Sequence, residues 1–181
     1  MIIFISGGAR SGKSTYAERM ASSIYSNTKN ARLVYIATAK RSDKEMEQRI
    51  KIHRQERAND WQVEEEPYEL SRTLENFQSG DVILIDCLTI WLSNMMFDRT
   101  YSYSDLAEEV SKWCSFAKEK QLQLIIVSND LNEGCPSPYE LVNEYMYSLE
   151  RLHQMVVQEA QYAIQIIAGI PSYWKGEKDE E

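Results

Sequence analysis

"FISGGARSGKSTYAERMA", residues 4–21, decides how the rest of the chain is read. Gly7 to Ser14 fits the pattern G-x-x-x-x-G-K-[S/T]. The apolar run "IIFIS" (2–6) precedes it, and Ser14 to Ile24 carries a helical pattern after it. Strand, glycine-rich turn and helix in that order are what a phosphate-binding loop requires. Gly7, Gly8 and Gly12 allow the backbone to turn its N–H groups toward phosphate oxygens, with Ala9, Arg10 and Ser11 completing the loop. The positive end of the following helix adds to this. Lys13 can reach the outer phosphates and Ser14 can hold Mg²⁺.

Four further apolar runs read as buried strands: "LVYIA" (33–37), "VILID" (82–86), "LQLIIVS" (122–128) and "IQIIAG" (164–169). Such near-continuous runs fit a parallel sheet covered on both faces. Helical spacing falls between them, over Asp43 to Arg57, Asp105 to Lys120 and Leu141 to Ala163. The alternation predicts a single-domain α/β fold of the P-loop NTPase type, with a mostly parallel central sheet and helices on both faces. Ligands of such sheets bind beyond the carboxyl ends of the strands. The expected domain covers 1–172, and 173–181 reads as an acidic, frayed tail.

The chain has 181 residues and a formal net charge of -8. With no Lys/Arg cluster large enough to form a basic face, a nucleic-acid partner is not expected. No apolar run approaches a membrane span, and the first residues lack the basic leader of a secretory signal. Cys87, Cys114 and Cys135 are far apart and odd in number, so neither a disulfide framework nor a zinc site is expected, and a reducing cytoplasm is the natural home.

A phosphate loop needs an acid at the end of another strand, and "VILID" supplies Asp86 for a Mg²⁺ site, directly or through water. Asp130, after "LQLIIVSN", is a second candidate acid. His53 lies in "RIKIHRQER", where Arg49, His53 and Arg57 share one helical stripe. A histidine between two cations is pushed toward its neutral form, which can serve as a nucleophile or base. Spacing alone favours the plainer reading, a half-exposed histidine on a basic helix face. His153, beside Leu152 in an amphipathic stretch, reads as structural.

"SGGARSGKSTYAE", "VYIATA", "DKEMEQRIKIHRQERANDWQVEEEP" and "VILIDCLTIWLSNMMF" together resemble the bifunctional adenosylcobinamide kinase / adenosylcobinamide-phosphate guanylyltransferase family. The resemblance extends over nearly the whole chain, to "AGIP" near its end. It implies phosphorylation of the aminopropanol arm of adenosylcobinamide by ATP or GTP. GMP then passes from GTP to that phosphate, with release of pyrophosphate, through a GMP–histidine intermediate. The histidine so implied is His53. The implied nucleotide contacts are Gly7 to Ser14, then Ile36, Ala37 and Thr38, then Arg54, Gln55, Glu56 and Arg57, then Glu65, with Asp86 as the strand-end acid. A carboxylate at Glu65 can accept from the N1–H and exocyclic amine of guanine. Without the resemblance, nothing chooses it over Glu64 or Glu66. The implied partners are the corrinoid substrate and further copies of the chain, a homo-oligomer with a trimer as the family's form.

The chain departs from the family pattern after the fourth strand. "SNDLNEG" (128–134) stands for T-N-E-V-G-x-G, keeping Asn129 and Gly134 and placing Asp130 where the glutamate would be. Asn143, Met146, Tyr147, Glu150 and His153 stand where the family helix carries two arginines, an aspartate, a glycine and an asparagine. The nucleotide half is thus retained, and the corrinoid and subunit contacts are the part expected to differ. Two competing functions are a plain small-molecule kinase, which would not need His53, and a nucleotide-binding regulatory relative with a degraded corrinoid site.

Overall fold

The computed structural model describes residues 1–40, 60–131 and 136–177. The predicted helix over Asp43 to Arg57 lies outside them. Seven strands form one sheet in the order β3-β2-β4-β5-β1-β6-β7. They are β1 (Ile2–Ser6), β2 (Leu33–Ala37), β3 (Trp61–Glu65), β4 (Val82–Asp86), β5 (Gln123–Val127), β6 (Tyr162–Ile167) and β7 (Ile170–Lys175). β1 to β6 pair in parallel, and β7 joins β6 antiparallel. The described helices are α1 (Lys13–Ser26), α2 (Leu70–Leu74), α3 (Leu88–Asp98), α4 (Tyr103–Glu119) and α5 (Glu140–Glu159).

Side chains alternate across the strands and split the core in two. Ile3, Ile5, Tyr35 and Leu84 face α1, whose Ala17 and Ala21 press flat on the sheet. Phe4, Ile36, Ile85 and Ile126 face α2 to α5, where Trp91 of α3 and Trp113 of α4 meet edge-on at 4.4 Å. Both faces of the central strands are therefore dry, which is why they carry hydrophobic runs rather than alternation.

Two strands depart from the predicted set. β3 alternates half-buried and exposed residues because it is an edge strand. β7 follows a two-residue turn in which Ala168 (φ 49) and Gly169 (φ 85) both take positive φ, the geometry of a tight hairpin. Its Pro171 is tolerated because β7 is the other edge. The strand carries the folded chain to Lys175, past the expected boundary at 172. Tyr173 is anchored by a 2.7 Å bond between its hydroxyl and that of Tyr16, so 173–175 belong to the sheet, not to a tail. The last predicted strand, β6, runs Tyr162–Ile167 rather than 164–169, and α5 ends at Glu159 rather than at Ala163. There Gln161 turns the chain onto β1: its N–H donates to Ile2 O at 2.9 Å, and its Oε1 accepts from Ile2 N at 2.6 Å. α3 is apolar nearly all round and buried, so it lacks the amphipathic period that marks α4 and α5.

At the opposite end from the phosphate loop, Asp81 ties the starts of β2 and β4 together. It accepts from Arg32 N (2.8 Å), Arg32 Nε (2.9 Å) and Gln78 N (2.8 Å), and forms an ion pair with Arg32 at 2.5 Å. Burial alone would raise this carboxyl. The Arg32 side chain and the two backbone N–H groups outweigh it and hold it below the usual range. A carboxyl lowered in the folded state adds stability above its unfolded value, lost as pH falls through the folded one. Asp81→Ala is expected to cost about 2–3 kcal/mol at neutral pH, because buried donors lose their acceptor. Urea melts from pH 7 down to pH 3 check this: the acid-side decline of the wild-type protein should be shallower in the variant.

Candidate nucleotide site

β1 ends at Ser6, and the chain turns sharply through Gly7 (φ 155), Arg10 (φ 60) and Gly12 (φ 89) before α1 begins at Lys13. A Cβ on Gly7 would lie 2.6 Å from Ile166 O and 2.7 Å from Ser11 Oγ, so only glycine fits there. The loop is held on both sides. Asp130 N, beyond β5, donates to Gly7 O at 3.2 Å, and Gly169 N, at the hairpin tip, donates to Ser11 O at 2.8 Å.

The loop suits an anion. Gly12 caps α1 without a side chain, and no acid lies in the first turn, so the helix's positive end is not neutralised locally. Ser11 Oγ is buried with no hydrogen-bond partner, an orphaned donor that a phosphate oxygen would satisfy. Lys13 is buried, and its Nζ rests on Gly8 O at 3.2 Å. Ser14 follows it on the first turn of the helix.

Opposite the loop, β3, β2 and β4 end in register: Ala37 pairs with Glu65 on one side and with Asp86 on the other. Asp86 Oδ2 accepts from Tyr35 OH at 3.0 Å, which fixes the carboxylate on the α1 side of the sheet. Sequence reasoning missed Tyr35; its one signal was a hydroxyl-bearing ring within a buried run. Thr38 is fully buried, and its Oγ1 both donates to Cys87 O and accepts from Cys87 N, each at 2.8 Å. It clamps β2 to the residue after Asp86, and Asn94 Nδ2 holds Thr38 O at 2.9 Å from α3. Ile36 and Ala37 are buried as well. The Cys87 thiol is pushed up to about 12 by burial and by the Asp86 carboxylate, so it stays protonated and inert.

Geometry separates the three neighbouring acids. Glu66 Oε1 accepts from Tyr68 N (2.9 Å) and Glu69 N (2.8 Å), so that carboxylate is spent on the loop before α2. Glu64 is exposed, and Glu65 lies half-buried in the row with Ala37 and Asp86. His53, Arg54, Gln55, Glu56 and Arg57 lie outside the described residues. Among the described residues no cluster of three His, Cys, Asp or Glu could hold a metal. Mg²⁺ at a phosphate site takes one or two protein ligands and completes its shell with phosphate and water. Ser14 and Asp86 fit that role.

His153 is buried against the Phe4 ring at 4.9 Å, with Nε2 2.7 Å from Ser128 Oγ. Burial lowers its pKa and Glu150 and Asp130 oppose the shift only in part, so it is a neutral core residue, as expected. Asn143 is structural too: its amide accepts from Ser137 N and donates to Ser137 O, both at 2.8 Å.

This is a phosphate-loop nucleotide-binding protein of the α/β class. The chain belongs to the CobU family, described as cobinamide kinase / cobinamide phosphate guanyltransferase, whose model matches residues 3–173. It is 36% identical over 174 residues to the bifunctional adenosylcobalamin biosynthesis protein CobP of Pseudomonas aeruginosa, covering 96% of each chain. It is 25% identical to CobU of Escherichia coli K12, covering 94% of this chain and 97% of that one. Among solved structures it resembles the flagellar accessory protein FlaH of Methanocaldococcus jannaschii, with TM-score 0.56, 13% identity, and coverage of 97% of this chain and 78% of that one. That last likeness is one of fold. No helix among the described residues is long and apolar enough to cross a membrane.

Gly7→Ala tests the loop geometry. It is expected to weaken GTP binding by about tenfold or more, because Ile166 and Ser11 block the loop from closing around phosphate. Calorimetric titration of GTP checks this, with Gly8→Ala as the control, since a Cβ there meets nothing within 4 Å.

Proposed function

We propose that this chain phosphorylates the hydroxyl of the aminopropanol arm of adenosylcobinamide and then transfers GMP from GTP onto that phosphate. The products are adenosylcobinamide-GDP and pyrophosphate. The observation that carries this reading is the family match over residues 3–173 together with a phosphate loop whose orphaned Ser11 hydroxyl suits a nucleotide.

In the first step the loop N–H groups and Lys13 hold the outer phosphates of ATP or GTP, and Lys13 offsets the charge that builds up on the transferred group. Mg²⁺ on Ser14 and Asp86 would supply further neutralisation of the phosphate oxygens. Tyr35 and the Thr38–Cys87 clamp keep Asp86 in place. In the second step a neutral His53 attacks the α-phosphorus of GTP, and pyrophosphate leaves with the electrons of the broken bond. An oxygen of the corrinoid phosphate then displaces the histidine. Arg54 and Arg57 are suited to hold phosphate oxygens beside it, with Gln55 and Glu56 completing the contact. Glu65 would read guanine through N1–H and the exocyclic amine, and its place in the row with Asp86 supports it over Glu64 and Glu66. The resemblance further supports a cytoplasmic homo-oligomer, a trimer in the family's form.

His53→Ala should abolish a covalent GMP adduct while leaving most phosphoryl transfer to adenosylcobinamide, since only guanylyl transfer needs a protein nucleophile. Lys13→Ala should cripple both steps, by about a hundredfold or more. Intact mass after incubation with GTP and Mg²⁺, with pyrophosphate release in parallel, checks both. An acid-labile adduct persisting in His53→Ala would contradict the assignment.

A further inference from the structure

Asp130, singled out as a second strand-end acid, takes no part in the scheme above. It borders a cavity of about 350 Å³ between α5 and the β6–β7 hairpin, on the sheet face away from α1. Ser6 and Gln165 form the floor, Glu150, His153 and Gln154 of α5 one wall, and Trp174 of β7 the other. The polar groups are connected. Trp174 Nε1 donates to Gln165 Oε1 at 3.3 Å, and Gln165 Nε2 donates to Asp130 Oδ2 at 3.0 Å. Asp130 therefore reaches from the end of β5 across the end of β1 to β6, and its carboxylate is held at the cavity. Its own N–H rests on Gly7 O, while Lys13 Nζ rests on Gly8 O, each at 3.2 Å. The Asp130 backbone and the lysine side chain are thus anchored to consecutive residues of the phosphate loop.

We propose that this cavity receives the hydroxyl-bearing arm of the phosphoryl acceptor, and that Asp130 takes the hydroxyl proton during phosphoryl transfer. The proposal rests on the function proposed above. The lining favours an uncharged, amide-bearing ligand. Gln154 offers a neutral amide, Trp174 an apolar ring face, and Asp130 and Glu150 carboxylates, with no lysine or arginine among the described lining residues. Two carboxylates at the cavity disfavour a phosphate there, which makes it a poor site for a second nucleotide. The volume suits a short arm and is too small for a corrin ring, which would stay outside.

The acceptor oxygen bonds to the γ-phosphorus, and the bond from that phosphorus to the β–γ bridging oxygen breaks. The nucleoside diphosphate leaves with that electron pair, and the hydroxyl proton passes to the Asp130 carboxylate. A carboxylate accepts several hydrogen bonds, so the bond from Gln165 does not prevent this. The phosphorylated arm is then an anion beside Glu150, and repulsion favours its exit toward the guanylyl step.

Two measurements test the assignment: titration of adenosylcobinamide into protein loaded with a non-hydrolysable GTP analogue, and transfer from γ-labelled GTP. Gln154→Trp, which fills the cavity from an exposed position, and Trp174→Ala should weaken acceptor binding by about tenfold or more and leave analogue binding unchanged. Asp130→Asn keeps an oxygen for Gln165 and should lower kcat by about a hundredfold or more with acceptor affinity retained, and Asp130→Glu should regain part of it. Unchanged acceptor affinity in both cavity variants, or near wild-type turnover in Asp130→Asn, overturns the proposal. The GMP adduct is read on the same preparations. Its absence from the wild-type protein overturns the proposed function and this inference with it; its presence beside insensitive cavity and Asp130 variants overturns the inference alone.

Discussion

The contact between Gly7 and the carbonyl of Ile166 sets the rest of the site. With 2.6 Å between that oxygen and the place a Cβ would occupy, β1 can pass into the loop only through glycine. The same close approach lets the neighbouring strands hold the loop, β5 through Asp130 N and the hairpin through Gly169 N. A loop held at both ends needs little reorganisation to present its N–H groups to phosphate, and such preorganisation is what makes fixed donors effective. The cost is a buried, unpartnered Ser11 hydroxyl in the empty loop, a group that a bound phosphate would satisfy.

Parallel pairing has a second consequence. It brings the C-terminal ends of β1 to β6 to one edge, so chemically useful residues from distant parts of the chain meet there. On the α1 side the row of Glu65, Ala37 and Asp86 lies across from the loop. On the other side Asp130 and Gln165 meet over the end of β1. The loop thus has carboxylates on both faces of the sheet, in different surroundings. Asp86 is bound by a tyrosine hydroxyl beside the helix that would carry the metal's serine ligand. Asp130 is bound by a glutamine amide beside a cavity whose described lining holds no lysine or arginine. One environment suits a metal ligand and the other a proton acceptor.

The helix that departs most from the family pattern has its own packing logic. Asn143 closes a small ring with Ser137 and so fixes the entry to α5, a task an arginine could not perform with the same two bonds. Tyr147 is largely exposed and takes the Arg151 guanidinium over its ring. Further along, His153 seals the helix to Phe4 and Ser128. Asn143 and His153 therefore serve the helix's attachment, and Glu150 forms part of the wall of the acidic cavity.

The sequence by itself determined the phosphate loop, the parallel sheet and the acid at the end of β4, because each is written in adjacent residues: glycines at fixed spacing, unbroken apolar runs, a carboxylate ending one of them. It also carried the family, through motifs spread over nearly the whole chain. The edge strands escaped it, since β3 alternates like any half-exposed segment and β7 follows an Ala-Gly turn and contains a proline. So did α3, whose burial on all sides erases the amphipathic period. Only the tertiary structure set Glu64, Glu65 and Glu66 in different surroundings, because these depend on pleat direction and on Glu66 being taken up by Tyr68 and Glu69 N–H groups. It alone revealed Thr38 as a clamp on Cys87, and joined Asp130 to Gln165 and Trp174. Those bonds link residues far apart in the chain, and local spacing carries no trace of partners that only folding brings together.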